Sequence, residues 1–270
     1  MRTSAQIRAG LGSWAVVTWL AIMAMFVLSG CQGVVTPGGA DSGAAPSAAT
    51  GTSHAAATPS AGAGHTAQAE PHKVVVIGDS LSTGMGSTPA EAWPSLISAA
   101  PLDPDDDFDV VNASQNGSGY VAVGDNSSTF GTQVAQAVTA DTQLVVFFGS
   151  DNDMGASQAA ISAAAGKAFE AAKAKSPHAV LLVVGPQAYT TQPEAARLTV
   201  RDALEQAAST SAALFVDPIG QGWFIGQVAE LVGPDGEHPS VAGQRYLQAQ
   251  LEKLIKEEVS AMPSPTLRAK

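Results

Sequence analysis

Five short, largely apolar runs recur along the chain, each rich in Val, Leu or Phe. They lie at 73–77, 108–111, 144–148, 179–184 and 213–216. Apolar side chains follow one another in these runs instead of alternating with polar ones, which is typical of strands covered on both faces. The runs therefore predict five buried strands of one sheet.

Segments with helical character separate and follow these runs, at about 89–100, 130–140, 155–175, 193–210 and 240–260. In the last of them, Leu247, Leu251 and Ile255 recur at helical spacing. Strands that alternate with helices predict parallel βαβ units with right-handed crossovers, because the helices then cover both faces of one sheet. We expect an α/β fold, a three-layer α/β/α sandwich with a five-stranded parallel sheet.

Residues 1–30 have the pattern of an export signal. Arg2 and Arg8 give a basic start, and Trp14–Leu28 form an apolar core shorter than the roughly 20 residues of a membrane-spanning helix. The sequence Leu28–Cys31 then resembles a bacterial lipobox, which implies a cysteine that carries lipid such as palmitate and becomes the mature N-terminus. An ordinary cleaved signal with an incidental cysteine is the alternative.

Cys31 is the only cysteine of the chain, so it has no partner for an internal disulfide, and this favours lipidation. The segment 31–70 that it opens consists almost entirely of Ala, Gly, Ser, Thr and Pro. Such a segment buries too little apolar surface to offset its ordering entropy, and as a disordered tether it would span about 35 Å. We expect one folded domain at 71–270.

The net charge of −11 belongs to that domain, because only Arg2, Arg8, Asp41 and Glu70 among the charged residues lie before it. An excess of carboxylates argues against nucleic acid as a partner. It also argues against direct adhesion to anionic lipid, so we expect contact with a membrane only through the N-terminal lipid anchor.

Two short motifs carry the groups of serine-based hydrolytic chemistry. Gly78-Asp79-Ser80-Leu81-Ser82 follows the first predicted strand, and Asp235-Gly236-Glu237-His238 precedes the last predicted helix. A serine hydroxyl becomes a strong nucleophile when an imidazole takes its proton, and a carboxylate fixes the tautomer of that imidazole. Only His238 has such a setting; the other histidines are His54, His65, His72 and His178.

Two more polar segments, Asn112–Gly117 and Gly149–Asp153, follow predicted strands. The carboxyl ends of parallel strands meet at one edge of a sheet, where binding sites form. With these segments and the two motifs in this order, residues 73–260 resemble the SGNH (GDSL-type) hydrolases. The resemblance implies a flavodoxin-like sandwich and a serine hydrolase that needs no cofactor.

Carried over by position, the resemblance makes Ser80 the nucleophile, His238 the general base and acid, and Asp235 the residue that orients the imidazole. It also implies an oxyanion hole made of the Ser80 and Gly117 backbone amides and the Asn152 side-chain amide. The chemistry agrees, because a glycine permits close approach of the backbone and a neutral amide donates without adding a competing charge.

One segment departs from the family pattern. The usual Gly-x-Asn-Asp appears as Gly149–Asp153, with one residue too many. Either Ser150 takes the glycine position, or an insertion follows Gly149. A third register places Asp151 in the asparagine position, but a carboxylate would repel an oxyanion, so we prefer Asn152.

Structural explanations exist for other features. The first motif also suits a strand-to-helix turn with an N-capping serine, although its coincidence with the second motif favours catalysis. Trp223 and Phe224 would either wall an acyl pocket or pack beneath the catalytic loop.

The acidic run Asp103–Asp109 lacks the glycine and glutamate of an EF-hand loop, since Phe108 and Ser114 stand at those positions. We expect no metal and no nucleotide.

The sequence thus predicts a serine esterase that hydrolyses an acyl or O-acetyl ester of a cell-envelope glycan or lipid, through an acyl-enzyme on Ser80. An O-acyltransferase with the same triad and a catalytically silent envelope-binding lipoprotein are the alternatives. The expected location is the outer face of a bacterial cytoplasmic membrane, with secretion as the alternative.

Overall fold

The computed structural model describes residues 70–262, and its centre is a five-stranded sheet. The strands are β1 (His72–Gly78), β2 (Phe108–Asn112), β3 (Leu144–Phe148), β4 (Val180–Val184) and β5 (Leu214–Val216). All neighbouring strands pair in parallel, in the order β2-β1-β3-β4-β5. The predicted fold class is confirmed. The predicted signal peptide, Cys31 and tether lie outside the described residues.

Seven α-helices occur within these residues: α1 (Ser80–Thr83), α2 (Trp93–Ala99), α3 (Phe130–Ala137), α4 (Gln158–Lys175), α5 (Ala195–Thr210), α6 (Val228–Leu231) and α7 (Val241–Ser260). Five of them match predicted segments. Helix α2 begins later than predicted, with Pro94 in its first turn. Helices α1 and α6 are too short for helical periodicity to show. No helix in this part of the chain has the length and apolar character to cross a bilayer.

Successive residues of a strand enter opposite hydrophobic cores. In β1, Val75 joins a buried cluster with Phe169 of α4 and Leu204 of α5. The next residue, Val76, joins a second cluster with Leu251 of α7. Both faces of the sheet are therefore covered, which explains why the strands are apolar throughout. Each large aliphatic side chain buried in this way contributes roughly 1.5–3 kcal/mol.

Polar caps fix the starts of α1 and α7, the helices that adjoin the two motifs. The Asp79 carboxylate accepts the Leu81 N–H at 3.0 Å. The Ser240 hydroxyl accepts the Gly243 N–H at 3.1 Å. These bonds satisfy amides that the first turn of a helix leaves unpaired. The serine cap considered for the first motif is wrong: Asp79 is the cap, because Ser80 is already the first residue of α1.

The acidic run before β2 docks on α7 through Lys256. The Lys256 ammonium contacts the Asp103 carboxylate and lies 2.9 Å from Asp106. The pairs neutralise part of the run where it meets the helix. Across residues 70–262, no group of three or more His, Cys, Asp or Glu side chains is arranged to hold a metal ion.

Candidate active site

The two motifs meet at the carboxyl edge of the sheet. Ser80 Oγ lies 3.0 Å from Nε2 of His238. On the other side of the ring, Nδ1 of His238 lies 2.9 Å from Oδ2 of Asp235. Serine, imidazole and carboxylate therefore form one hydrogen-bonded series. The structure brings together the three side chains that the sequence singled out.

Asp235 is held as a carboxylate by its own loop. Its Oδ1 accepts the backbone N–H groups of Glu237 and His238, both at 3.0 Å. These two bonds, followed by the bond to the imidazole, lower the pKa of Asp235 to about 2. An ionised carboxylate beside Nδ1 keeps the proton on that nitrogen. Nε2 is then the nitrogen that accepts the Ser80 hydroxyl proton.

A solvent-open groove of about 550 Å³ contains Ser80 and His238. Gly117 and Asn152, the other two predicted site residues, line the same groove. The remaining lining residues are Met85, Asn116, Val123, Gly124, Asp125 and Glu237. Ser80 itself is only 8% exposed, so a substrate must enter the groove to reach its hydroxyl.

Two backbone donors in the groove are unused. Among the residues described, neither the Ser80 N–H nor the Gly117 N–H donates a hydrogen bond. Ser80 is the first residue of α1, where helix geometry leaves the amide without a partner. Gly117 has a φ of +71°, which glycine adopts without the steric cost that a side chain would add. Unused amides of this kind can stabilise an oxyanion.

The Asn152 amide is fixed by the loops around it. Asn152 lies in a short 3-10 helix, Asp151–Asp153, that follows β3. Its Nδ2 donates to the Ser118 carbonyl at 2.9 Å and lies 3.5 Å from the Asp79 carboxylate. An amide group has two N–H donors, and the longer contact is at the limit of a hydrogen bond. The N–H that faces Asp79 is therefore held only weakly, and a ligand in the groove could replace that contact.

The segment Gly149–Asp153 accommodates its extra residue through two consecutive residues in the left-handed conformation. Gly149 has a φ of +99° and Ser150 a φ of +92°. A Cβ on Gly149 would lie 2.5 Å from the Asp79 carboxylate, so Gly149 holds the position that needs glycine. Ser150 is the residue that lengthens the turn. The third register is excluded, because Asp151 pairs with Arg197 and Asn152 lines the groove.

Asp79 ties the start of α1 to this loop. Only 1% of the residue is exposed, and its carboxylate accepts the N–H groups of Leu81 and Ser150 at 3.0 and 2.9 Å. Burial raises the pKa of Asp79 to about 7, although the two backbone bonds act in the opposite direction. These contacts give Asp79 a structural role, in which it joins the start of α1 to the loop after β3.

Asp153 is a site-building residue that the sequence reasoning missed. Its buried carboxylate accepts three consecutive backbone N–H groups, those of residues 120–122, at 2.7, 2.9 and 2.7 Å. The segment after Gly117 is thereby fastened to the loop that carries Asn152. Its place directly after Asn152 was the only available signal, since the sequence does not show which backbone amides a carboxylate will meet.

Trp223 and Phe224 do not line the groove. Both are buried in the second hydrophobic core, with 4% and 0% of each residue exposed. Phe224 has a φ of +65°, which is a strained conformation for a bulky residue. Of the two roles considered for this pair, the structure supports packing beneath the catalytic loop.

The arrangement agrees with the comparisons with known proteins. A sequence model described as the GDSL-like lipase/acylhydrolase family matches residues 76–246. The chain belongs to this family. A relative from Mycobacterium tuberculosis (strain ATCC 25618 / H37Rv), GDSL lipase Rv0518, is 36% identical over 195 residues, which cover 69% of this chain and 82% of the relative.

Solved structures of other proteins have a similar fold. The crystal structure of TesA aligns with a TM-score of 0.57 at 23% identity, and covers 69% of this chain and 99% of its own. The psychrotrophic esterase EstA from Pseudoalteromonas sp. aligns with a TM-score of 0.56 at 16% identity, over 70% and 99%. As a member of the GDSL family, the protein is a serine hydrolase of the SGNH type, with esterase activity in the general sense.

Proposed function

We propose that the protein is a serine esterase that forms an acyl-enzyme on Ser80 and transfers the acyl group to water. The contact between Ser80 Oγ and His238 Nε2, 3.0 Å long and inside an open groove, carries this proposal. A serine that only capped a helix would need no imidazole at its hydroxyl. The ionised Asp235 on the far side of the ring adds the charge that stabilises an imidazolium.

The reaction follows from these positions. His238 Nε2 takes the Ser80 proton while Oγ attacks the ester carbonyl, and the resulting oxyanion accepts hydrogen bonds from the Ser80 and Gly117 amides and from Asn152. The imidazolium then returns the proton to the leaving alcohol as the ester C–O bond breaks. In the second half, His238 deprotonates a water that attacks the acyl carbonyl. The imidazolium then returns that proton to Ser80 Oγ as the bond between the acyl carbon and Oγ breaks, which releases a carboxylic acid and free Ser80.

An O-acyltransferase would use the same first half and accept a sugar hydroxyl in the second. The open groove favours hydrolysis, because bulk water reaches the acyl-enzyme unless an acceptor excludes it. A silent binding protein is disfavoured, since such a protein has no reason to keep three catalytic groups within hydrogen-bonding distance.

For the natural substrate we propose an acyl or O-acetyl ester of a bacterial cell-envelope glycan or lipid. The support is the export pattern before residue 31 and the name of the Mycobacterium tuberculosis relative, a lipase. The protein would act from the outer face of the cytoplasmic membrane, held by lipid on Cys31.

A fluorophosphonate probe should label the purified full chain at Ser80, because the phosphorus occupies the place of an ester carbonyl and the triad activates Oγ. A phosphonate inhibitor is also named for the EstA crystal structure. Peptide mass spectrometry locates the label. A folded sample that hydrolyses no ester and takes no label would refute the serine-enzyme proposal.

A panel of p-nitrophenyl esters of increasing chain length, run with and without acceptor sugars, separates esterase from transferase.

Membrane anchoring has its own test. Replacing Cys31 by serine should move the protein from the membrane fraction to the soluble fraction of a bacterial host that processes lipoproteins, because serine offers no thiol for lipid. Immunoblotting of the two fractions measures the shift, and Ser29→Ala is a control that keeps the cysteine. If the Cys31→Ser protein stays with the membrane, lipidation at this position is wrong.

A further inference from the structure

The two halves of the candidate site stand on separate loops. Asn152 follows β3, whereas His238 lies on the loop before α7, more than 80 residues later in the chain. The distance between the oxyanion donor and the general base therefore depends on what lies between the loops. Three polar residues lie between the two loops. They are Gln187 and Tyr189, which follow β4, and Arg197 of α5. Gln187 and Arg197 are buried.

Arg197 holds the first loop. The residue is only 8% exposed, and its Nη1 contacts the carboxylate of Asp151, the neighbour of Asn152. The same nitrogen donates to the Gln187 carbonyl at 2.8 Å, and Nε donates to Glu194 at 2.9 Å. A buried guanidinium loses hydration that only well-placed partners replace, so these contacts fix its position.

Tyr189 holds the second loop. Its hydroxyl accepts a hydrogen bond from Nε2 of Gln187 at 2.6 Å and donates to the carbonyl of Glu237, the neighbour of His238, at 2.5 Å. The ring packs edge-on against Phe224, with centroids 5.5 Å apart. Gln187 is fully buried, so its side chain has little freedom to move. The Tyr189 hydroxyl is therefore held between Gln187 on one side and the Glu237 carbonyl on the other.

The contacts join into one series from Asp151 through Arg197, Gln187 and Tyr189 to Glu237. Within residues 70–262, Oδ1 of Asp151 and Oε1 of Gln187 are buried and accept no hydrogen bond. A polar network that leaves acceptors unsatisfied is a poor way to gain stability, since apolar packing of the same volume costs less. Its two ends contact Asp151 and Glu237, the neighbours of the proposed oxyanion donor and general base, which points to a role in the site.

We infer that Arg197 and Tyr189 are positioning residues that set the spacing between Asn152 and His238. They touch neither the groove nor the reacting atoms, and act through the residues that precede the donor and the base. The inference rests on the proposed acyl transfer at Ser80. Misplacing a reacting group by about 1 Å costs up to roughly 100-fold in rate, so loss of either residue should lower turnover more than substrate binding.

Tyr189→Phe tests the inference with the smallest change, because it removes one hydroxyl and keeps the ring on Phe224. We expect kcat for p-nitrophenyl acetate to fall about 10- to 100-fold with little change in KM. Tyr246→Phe is the matched control, because that ring also packs on Phe224, with centroids 5.3 Å apart, and its hydroxyl lies beside the Phe224 backbone. This variant should keep the wild-type kcat.

Arg197→Lys gives a second measure, since an ammonium keeps the charge but has one nitrogen in place of the planar fork that holds Asp151 and the Gln187 carbonyl through Nη1 and Glu194 through Nε. It should show the same loss in kcat. Melting temperatures of all variants are recorded beside the rates. A Tyr189→Phe protein with a lowered melting temperature and a normal kcat would overturn the inference, as would equal losses in both tyrosine variants. Absence of wild-type activity would instead refute the proposed function.

Discussion

Replacing Ser80 by alanine should remove ester hydrolysis, with kcat lower by about 10⁴- to 10⁶-fold. The variant keeps the groove and the amide of residue 80, so KM should change little. The residual activity would come from direct attack by water, with the oxyanion still stabilised by the amides of residues 80 and 117 and by Asn152. Steady-state kinetics with p-nitrophenyl acetate measure the loss, and Ser98→Ala, at an exposed serine of α2, is the control.

The hydrogen bond between Ser80 and His238 adds a sharper expectation. His238→Ala should lower kcat to a similar extent, and the double variant should be no slower than either single variant, because the two side chains act as one unit. Additive losses would mean that the 3.0 Å contact is not part of the reaction path. Circular dichroism must show that each variant is folded.

Asn152→Ala should lower kcat by about 10²- to 10³-fold and leave KM nearly unchanged. The amide meets the substrate oxygen most strongly when that oxygen becomes charged, so its loss appears in turnover. Asn152→Asp should be at least as slow, because a carboxylate repels the oxyanion. Asn126→Asp is the control for added charge, since Asn126 is exposed and does not line the groove.

An unchanged kcat in Asn152→Ala would move the donor to another group. In that case the hydrogen bond from Asn152 to the Ser118 carbonyl would serve only to join two loops. A large rise in KM at constant kcat would indicate that Asn152 binds the ground state of the substrate and the transition state equally.

The sequence predicted the sheet well because its strands are buried on both faces. Val74 to Ile77 all have 0% exposure, and such continuous apolar runs leave little ambiguity. The triad was predictable for a different reason: serine, histidine and aspartate carry their chemistry in their identity. Their positions after β1 and before α7 then required only that parallel strands end at one edge.

The loop of Asn152 could not be predicted to the same degree. Its conformation depends on Asp79, 71 residues earlier, whose carboxylate receives the Ser150 N–H. Ser150 itself has a φ that a sequence pattern assigns to glycine or asparagine. The role of Arg197 could not be predicted either, because an arginine in a predicted helix is normally exposed, whereas this one is buried. Long-range polar contacts of this kind leave no periodic signal.

The direction of β1 determines where the chain can be attached to other material. The strand starts at His72 on one edge of the sheet and ends at Gly78, directly before Asp79 and Ser80, roughly 20 Å away. Helix α7 likewise starts beside the His238 loop and leads the chain away over 20 residues, about 30 Å. A bead, a surface or a fusion partner coupled next to His72 or Ser260 would therefore be attached at the side of the sheet opposite to the groove.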